Sequence, residues 1–213
     1  MRKLIMKMSM SLDGFISGAN GENDWVFKTG DEESKAWSVA AISEAGLIIM
    51  GRKTFEMISS YWPTAPGPFA APMNEIPKVL FTKKGFDDTH PGETAIAVKS
   101  ARSYNVAKGV RQNAGASPAE ISWGNAQIFD GDLTEGINEL KAGSGKPIVA
   151  IGGAGFMQSL IAAGLIDEYR LAIHPVALGS GLPIFNGLAV PAYLKLADIK
   201  TFPKGIVVHT YRS

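Results

Sequence analysis

Arg52, Lys53 and Thr54 follow Gly51 at the end of a short apolar run, Leu47-Ile48-Ile49-Met50. That pattern places two cations and a hydroxyl in the first turn of a helix, where the positive end of the helix dipole disfavours cations. An anionic ligand would remove the conflict. A second junction of the same kind occurs at Pro147-Ile148-Val149-Ala150-Ile151-Gly152-Gly153-Ala154-Gly155-Phe156. Here a β-branched run stops at a glycine cluster and a helical pattern begins. Strand, glycine turn and helix together present unpaired backbone N–H groups to an anion, and glycine lets a phosphate approach where a Cβ would stand. Two such mouths suggest a ligand with two phosphates.

Other residues could do chemistry beside them. Asp13 sits in Ser11-Leu12-Asp13-Gly14-Phe15-Ile16, at the head of a loop that runs through Asn20 to Trp25. Loops of this length are uncommon unless functional or disordered, and Phe15, Ile16 and Trp25 suit a lid over a ligand. Asp13 could work at the mouth of a site or simply form a turn with Gly14. Asp31 could serve as an acid or cap the helix that follows it. His174, before Pro175, reads as a structural histidine with substrate contact as its second use.

Composition narrows the classes. Hydrophobic residues make up 46% and charged residues 19% of the 213, which is ordinary for a globular protein. A formal net charge of +1 argues against nucleic-acid binding driven by bulk charge. No apolar run approaches the roughly 20 residues that cross a bilayer, and the apolar part of 1–7 is short for a signal peptide. The chain has no cysteine, which excludes disulfides and thiolate metal sites, and His90, His174 and His209 are too scattered for a histidine metal centre. A cytoplasmic protein is expected.

The elements that must position these residues follow from periodicity. Lys3 to Met10 reads as the first strand. A helix over about 32–44, capped by Asp31, has Trp37, Ala40 and Ala41 on one face. Strand 47–50 and helix 52–60 come next, then a Pro/Gly/Ala-rich loop to about 77, a strand over 78–82 and a weaker one over 95–98. Residues 99–124 show no periodicity and read as an insertion. Asp132 with Glu135 resembles a capping box for a helix with Leu133, Ile137 and Leu140 inside. Helix 154–163 ends at Gly164. A strand lies within 165–179, and strands at 193–202 and 206–212 are too close for a crossover and form an antiparallel hairpin at a sheet edge. The fold class is α/β, a mostly parallel sheet with antiparallel C-terminal strands in one domain spanning 1–213.

In this order, Ile49 to Glu56, Ile151 to Ala154 and the loop from Asp13 through Asn20 to Trp25 resemble dihydrofolate reductase. Met10 to Ile16, Gly164 to Arg170 and His174-Pro175-Val176-Ala177-Leu178-Gly179-Ser180-Gly181 are more similar to a sister group. That group is the RibD C-terminal-like reductases, which include the reductase domain of bacterial riboflavin biosynthesis. The resemblance covers the chain apart from about 99–124.

The resemblance implies a twisted eight-stranded sheet, an NADPH-dependent reductase of a small heterocycle or carbonyl compound, and a homodimer formed through residues 165–212. A non-catalytic NADPH-binding sensor is the other class it allows. Gly51, Arg52, Lys53 and Thr54 would hold the adenine-side phosphate and pyrophosphate. Thr82 and Lys83 would touch the adenosine ribose and its 2′-phosphate, with Lys84 adding charge. Gly152, Gly153, Ala154 and Gly155 would receive the pyrophosphate, while Gly14 and Ile16 would lie by the nicotinamide. Asp13 and Asp31 are the catalytic candidates, and Trp25 and His174 the substrate contacts. The resemblance also implies a cis peptide at Gly152–Gly153, with Gly153 the position that admits no side chain. The zinc deaminase half of the riboflavin enzyme has no counterpart, because its His/Cys ligands are missing.

Overall fold

The computed structural model describes residues 1–83, 123 and 126–213. The expected strand at 95–98, Lys84 and all of the expected 99–124 insertion except Trp123 lie outside these residues. Among the described residues, eight strands form one sheet. They are β1 (Leu4–Ser11), β3 (Leu47–Gly51), β4 (Lys78–Phe81), β5 (Gln127–Phe129), β6 (Ile148–Ala150), β7 (Glu168–His174), β9 (Lys195–Thr201) and β10 (Val207–Arg212). Their order is β5-β4-β3-β6-β1-β7-β10-β9. Every neighbouring pair from β5 to β7 is parallel, and β10 runs antiparallel to both β7 and β9. The expected parallel sheet with an antiparallel C-terminal edge is what forms.

The pleat of β1 explains the layering. Leu4, Met6 and Met8 point to one face, where they pack with Ile49, Phe81, Ile148 and Ala150 beneath helices α5 (Leu133–Ala142) and α6 (Ala154–Ala162) through Ile137, Met157, Leu160 and Ile161. Ile5 points to the other face and joins Ile48, Met50, Leu80 and Val149. That face is covered by α2 (Glu32–Ser43) through Ile42, α3 (Arg52–Ile58) through Phe55, and α4 (Ala70–Glu75) through Met73. Central strands buried on both faces read as continuous apolar runs, which is why periodicity found them.

Several details differ from expectation. Ala40 is exposed, and α2 instead buries Ser34, Ala41 and Ile42. The Pro/Gly/Ala-rich stretch contains α4 and a 3-10 turn, Trp62–Thr64. A short helix, α1 (Trp25–Thr29), closes the long loop. The loop itself pairs: β2 (Phe15–Ser17) runs antiparallel to β8 (Leu182–Pro183). These elements are three to six residues long or shorter, too short for a periodic signal.

Candidate functional site

The strand order brings the predicted residues to one edge. Adjacent parallel strands β4, β3, β6, β1 and β7 all end there, and each is followed by a stretch singled out by its chemistry. Phe81 pairs with Gly51, so Thr82 and Lys83 emerge beside the Gly51–Thr54 turn. Ile49 pairs with Ala150, which sets Gly152–Gly155 on the other side of that turn. Ser11 pairs with His174, and the Asp13–Ile16 loop leaves from there. The crevice beyond the carboxyl ends of such strands is where open α/β sheets bind ligands.

The two glycine junctions are packed against each other. Gly153 donates its N–H to Thr54 Oγ1 at 2.8 Å, and Thr54 is buried. A Cβ at Gly51 would meet Phe156 Cβ at 3.0 Å. Thr54 therefore buttresses the second turn from within the first helix. Arg52 does not wait for an anion: its Nη1 donates to Glu56 Oε1 at 2.6 Å. This i,i+4 pair relieves part of the unfavourable placement at the helix start, while Lys53 stays exposed. Thr82 is buried and donates its N–H to Phe129 O at 3.0 Å, and Lys83 is exposed.

The glycine turn corrects two expectations. The described residues contain no cis peptide bond, so Gly152–Gly153 is trans. Gly152 makes the turn with a φ of +116°, and a Cβ there would stand 2.5 Å from Thr54. The position that admits no side chain is thus Gly152. Gly153 has ordinary extended dihedrals as the N-cap of α6, and its Cβ would come no closer than 3.4 Å to Thr54 Oγ1. Gly155 has open space where its Cβ would be, with nothing within 4 Å. Gly153 and Gly155 are both exposed at the start of α6, so the donor set and the room in front of it fit a phosphate group.

Asp13 is an anchor. Its Oδ1 accepts from Ser11 Oγ at 2.5 Å, and its Oδ2 accepts from the N–H groups of Leu178 at 3.0 Å and Gly179 at 2.7 Å. These donors, with Ser11 the largest contributor, hold its pKa down at about 2. A carboxyl ionised at neutral pH and held by these donors positions the loop. Gly14, at a φ of +85°, turns the chain, its carbonyl accepts from Ile184 N at 3.3 Å, and Ile16 packs at the margin of the core. Asp31 caps α2: Oδ1 accepts from Ser34 N at 2.7 Å and Oδ2 from Lys204 N at 2.9 Å. Those backbone donors lower its pKa, so of the two uses read from the sequence the structure displays capping.

His174 and Trp25 do come together. The rings meet edge to face with centroids 5.1 Å apart, and both are buried. Thr29 gives its hydroxyl proton to Trp25 O at 2.7 Å, which leaves Oγ1 to accept from His174 Nδ1–H at 2.7 Å. This arrangement calls for a proton on Nδ1. Burial, with help from the nearby Lys7 cation, pushes its pKa down to about 4. Sequence reading missed Thr29 and Ser11, since neither belongs to a spacing pattern; each matters through a partner distant in the chain or across a turn.

Comparison with known proteins agrees with this geometry. The chain is 32% identical over 211 residues to the uncharacterized protein YyaP of Bacillus subtilis (strain 168), a match covering 99% of this chain and 94% of that protein. A pyrimidine reductase-like protein from Corynebacterium diphtheriae superimposes with a TM-score of 0.59 at 16% identity, covering 99% of this chain and 91% of the other. The diaminohydroxyphosphoribosylaminopyrimidine deaminase/5-amino-6-(5-phosphoribosylamino)uracil reductase of Thermotoga maritima gives 0.65 at 15% identity, covering 99% of this chain but 56% of that longer one. At such identities these two likenesses speak for the fold. The family model described as the RibD C-terminal domain matches residues 2–208, and the chain therefore belongs to the RibD C-terminal domain family.

Proposed function

We propose that this protein is an NADPH-dependent reductase of a small heterocyclic substrate, most like the uracil reductase half of the riboflavin enzymes. The observation that carries the reading is the joined pair of strand-to-helix mouths, Gly51–Thr54 and Gly152–Gly155, locked by the Gly153-to-Thr54 bond. Ala154 and Gly155 would hold the pyrophosphate with backbone N–H groups, while the Gly153 N–H stays on Thr54 and fixes the turn. Lys53, Thr82 and Lys83 line the side where a 2′-phosphate would lie, and favour NADPH over NADH. When bound, NADPH would supply a hydride to the acceptor. The Gly14–Ser17 loop, pinned by Asp13, would exclude water from that transfer.

The identity of the proton donor is not Asp13 or Asp31 on this reading, because both carboxylates are engaged with backbone donors. Self-association through β9 and β10 and a cytoplasmic site of action, where NADPH is available, complete the proposal. The test is a thermal-shift titration with each nucleotide, followed by NADPH oxidation over a panel of pterins, pyrimidines and quinones. A ligand at 100 times its Kd stabilises a fold by about 2.7 kcal/mol. A larger shift with NADPH than with NADH is expected; equal shifts would remove the cofactor claim, and binding without turnover would favour a sensor.

A further inference from the structure

Two asparagines precede a glycine in this chain, in Asn20-Gly21 and Asn186-Gly187. Such a pair carries its own chemistry. The backbone nitrogen of the glycine can reach the asparagine Cγ, because glycine has no Cβ to restrict the approach. The fold treats the two pairs oppositely.

Asn20 is held. Its Nδ2 donates to Glu22 Oε1 at 2.8 Å, and its backbone N–H donates to Glu22 Oε2 at 3.0 Å. Hydrogen bonds to a carboxylate are the stronger kind. The attacking group is held as well, since the Gly21 N–H donates to Gly18 O at 3.1 Å. Both reacting nitrogens of this pair are thus engaged.

Asn186 has none of these restraints. Among the described residues, neither its side chain nor the Gly187 N–H makes a hydrogen bond. Both residues are exposed, in a stretch with neither helix nor strand, and Gly187 has a φ of +70°. The chain is anchored on either side. Ile184 is buried and donates its N–H to Gly14 O at 3.3 Å, and Leu188 packs against the core.

We propose that Asn186 is a site of spontaneous modification selected by the fold, deamidating through a cyclic imide to aspartyl and isoaspartyl forms while Asn20 is preserved. The Gly187 nitrogen attacks Asn186 Cγ, and the new C–N bond closes a succinimide ring. The side-chain nitrogen leaves as ammonia, taking the Gly187 amide proton. Water then opens the ring. Cleavage at Cγ gives aspartate; cleavage at the main-chain carbonyl gives isoaspartate, whose backbone runs through Cβ and Cγ. Nothing is oxidised or reduced, and water is the co-reactant. The product gains a carboxylate, and the isoaspartyl form also gains a backbone carbon between Ile184 and Leu188. With both of those residues anchored, the added length acts on the Ile184-to-Gly14 bond and so on the loop after β1. This inference stands apart from the reductase reading, and no readout below involves NADPH.

The test incubates the wild-type protein at mildly alkaline pH and follows each site by peptide mass spectrometry. Enzymatic methylation of the free α-carboxylate counts the isoaspartyl form. In the folded protein Asn186 is expected to convert at least about tenfold faster than Asn20, a barrier difference of about 1.4 kcal/mol. In denaturing urea the two rates should converge. Glu22→Ala should raise the Asn20 rate toward that of Asn186, and Asn186→Gln, whose longer side chain disfavours ring closure, should abolish the charge gain at its position. No conversion of Asn186, or conversion of Asn20 as fast or faster, would overturn the proposal. The same ratio in urea would also overturn it, by assigning the selectivity to neighbouring side chains instead of the fold. Hydrogen exchange at Ile184 should quicken in aged wild type and stay constant in aged Asn186→Gln. Unchanged exchange at Ile184 after Asn186 has converted would refute the link to the loop. The wild-type comparison needs no variant, so a folding failure of either one does not protect the proposal.

Discussion

The backbone N–H of Gly153 points at the buried Oγ1 of Thr54, 2.8 Å away and 99 positions earlier in the chain. One hydroxyl in the first turn of α3 thereby fixes the turn that opens α6. Thr54→Val keeps the shape and removes the acceptor, leaving the Gly153 N–H facing a methyl group. We expect a loss of about 1–3 kcal/mol in urea unfolding, with NADPH affinity reduced and with Thr54→Ser retaining both. Stability of Thr54→Val equal to wild type would mean that the two mouths are not held by this bond.

Adjacent glycines should respond differently to alanine. Gly152→Ala must carry a side chain at a φ of +116° and place its Cβ 2.5 Å from Thr54; strain alone costs about 1–3 kcal/mol and overpacking about as much again. A large fall in Tm, or no soluble protein, is expected. Gly153→Ala should fold, since its Cβ is tolerated, yet bind NADPH about tenfold more weakly by crowding the exposed N–H groups. The reverse ranking in thermal melts would place the constraint at Gly153 after all.

Asp13→Ala removes the strap between the loop after β1 and the loop after β7. Hydrogen exchange should accelerate at Leu178 and Gly179, whose N–H groups lose their acceptor, and at Phe15, whose N–H bonds to Ser11 Oγ at 3.0 Å. Because the carboxyl stays ionised until the pH nears 2, wild-type exchange at these sites should show no titration step above about pH 4. Unchanged exchange in the variant would mean the loops hold without Asp13.

His174 gives a pH signature. Its folded pKa of about 4 lies below its ordinary 6.5, so between these values the unfolded chain binds the extra proton. Stability is therefore fully present above pH 6.5 and falls as the pH drops toward 4, by about 3 kcal/mol over the full window. His174→Gln should flatten this part of the curve measured by urea unfolding. A wild-type profile without a fall between pH 6.5 and 4 would contradict a buried neutral imidazole.

The outer edge of the sheet predicts self-association. Every residue of β9 is exposed, Leu196 at 53% and Ile199 at 50%, and Tyr193 just before it at 89%. An open apolar edge strand invites pairing with another chain. Light scattering should return twice the 22.6 kDa chain mass, and Ile199→Lys should shift it toward the monomer. A wild-type mass near that of one chain at micromolar concentration would refute the dimer.

The sequence by itself determined the sheet's buried strands, the two glycine junctions and the closing hairpin. Strands such as 47–51 and 148–150 are buried on both faces, so their burial is written as an unbroken apolar run, and the turns that end them are written in glycine. Asp132 and Asp31 were legible as caps because a cap acts on residues two or three positions ahead. Only the tertiary structure decided what the polar residues between those landmarks do. Asp13 finds its donors at Leu178 and Gly179, His174 its acceptor at Thr29, and Thr54 its donor at Gly153. Such partners are separated by 99 to 166 positions and obey no spacing, since side-chain hydrogen bonds are set by which strands lie side by side.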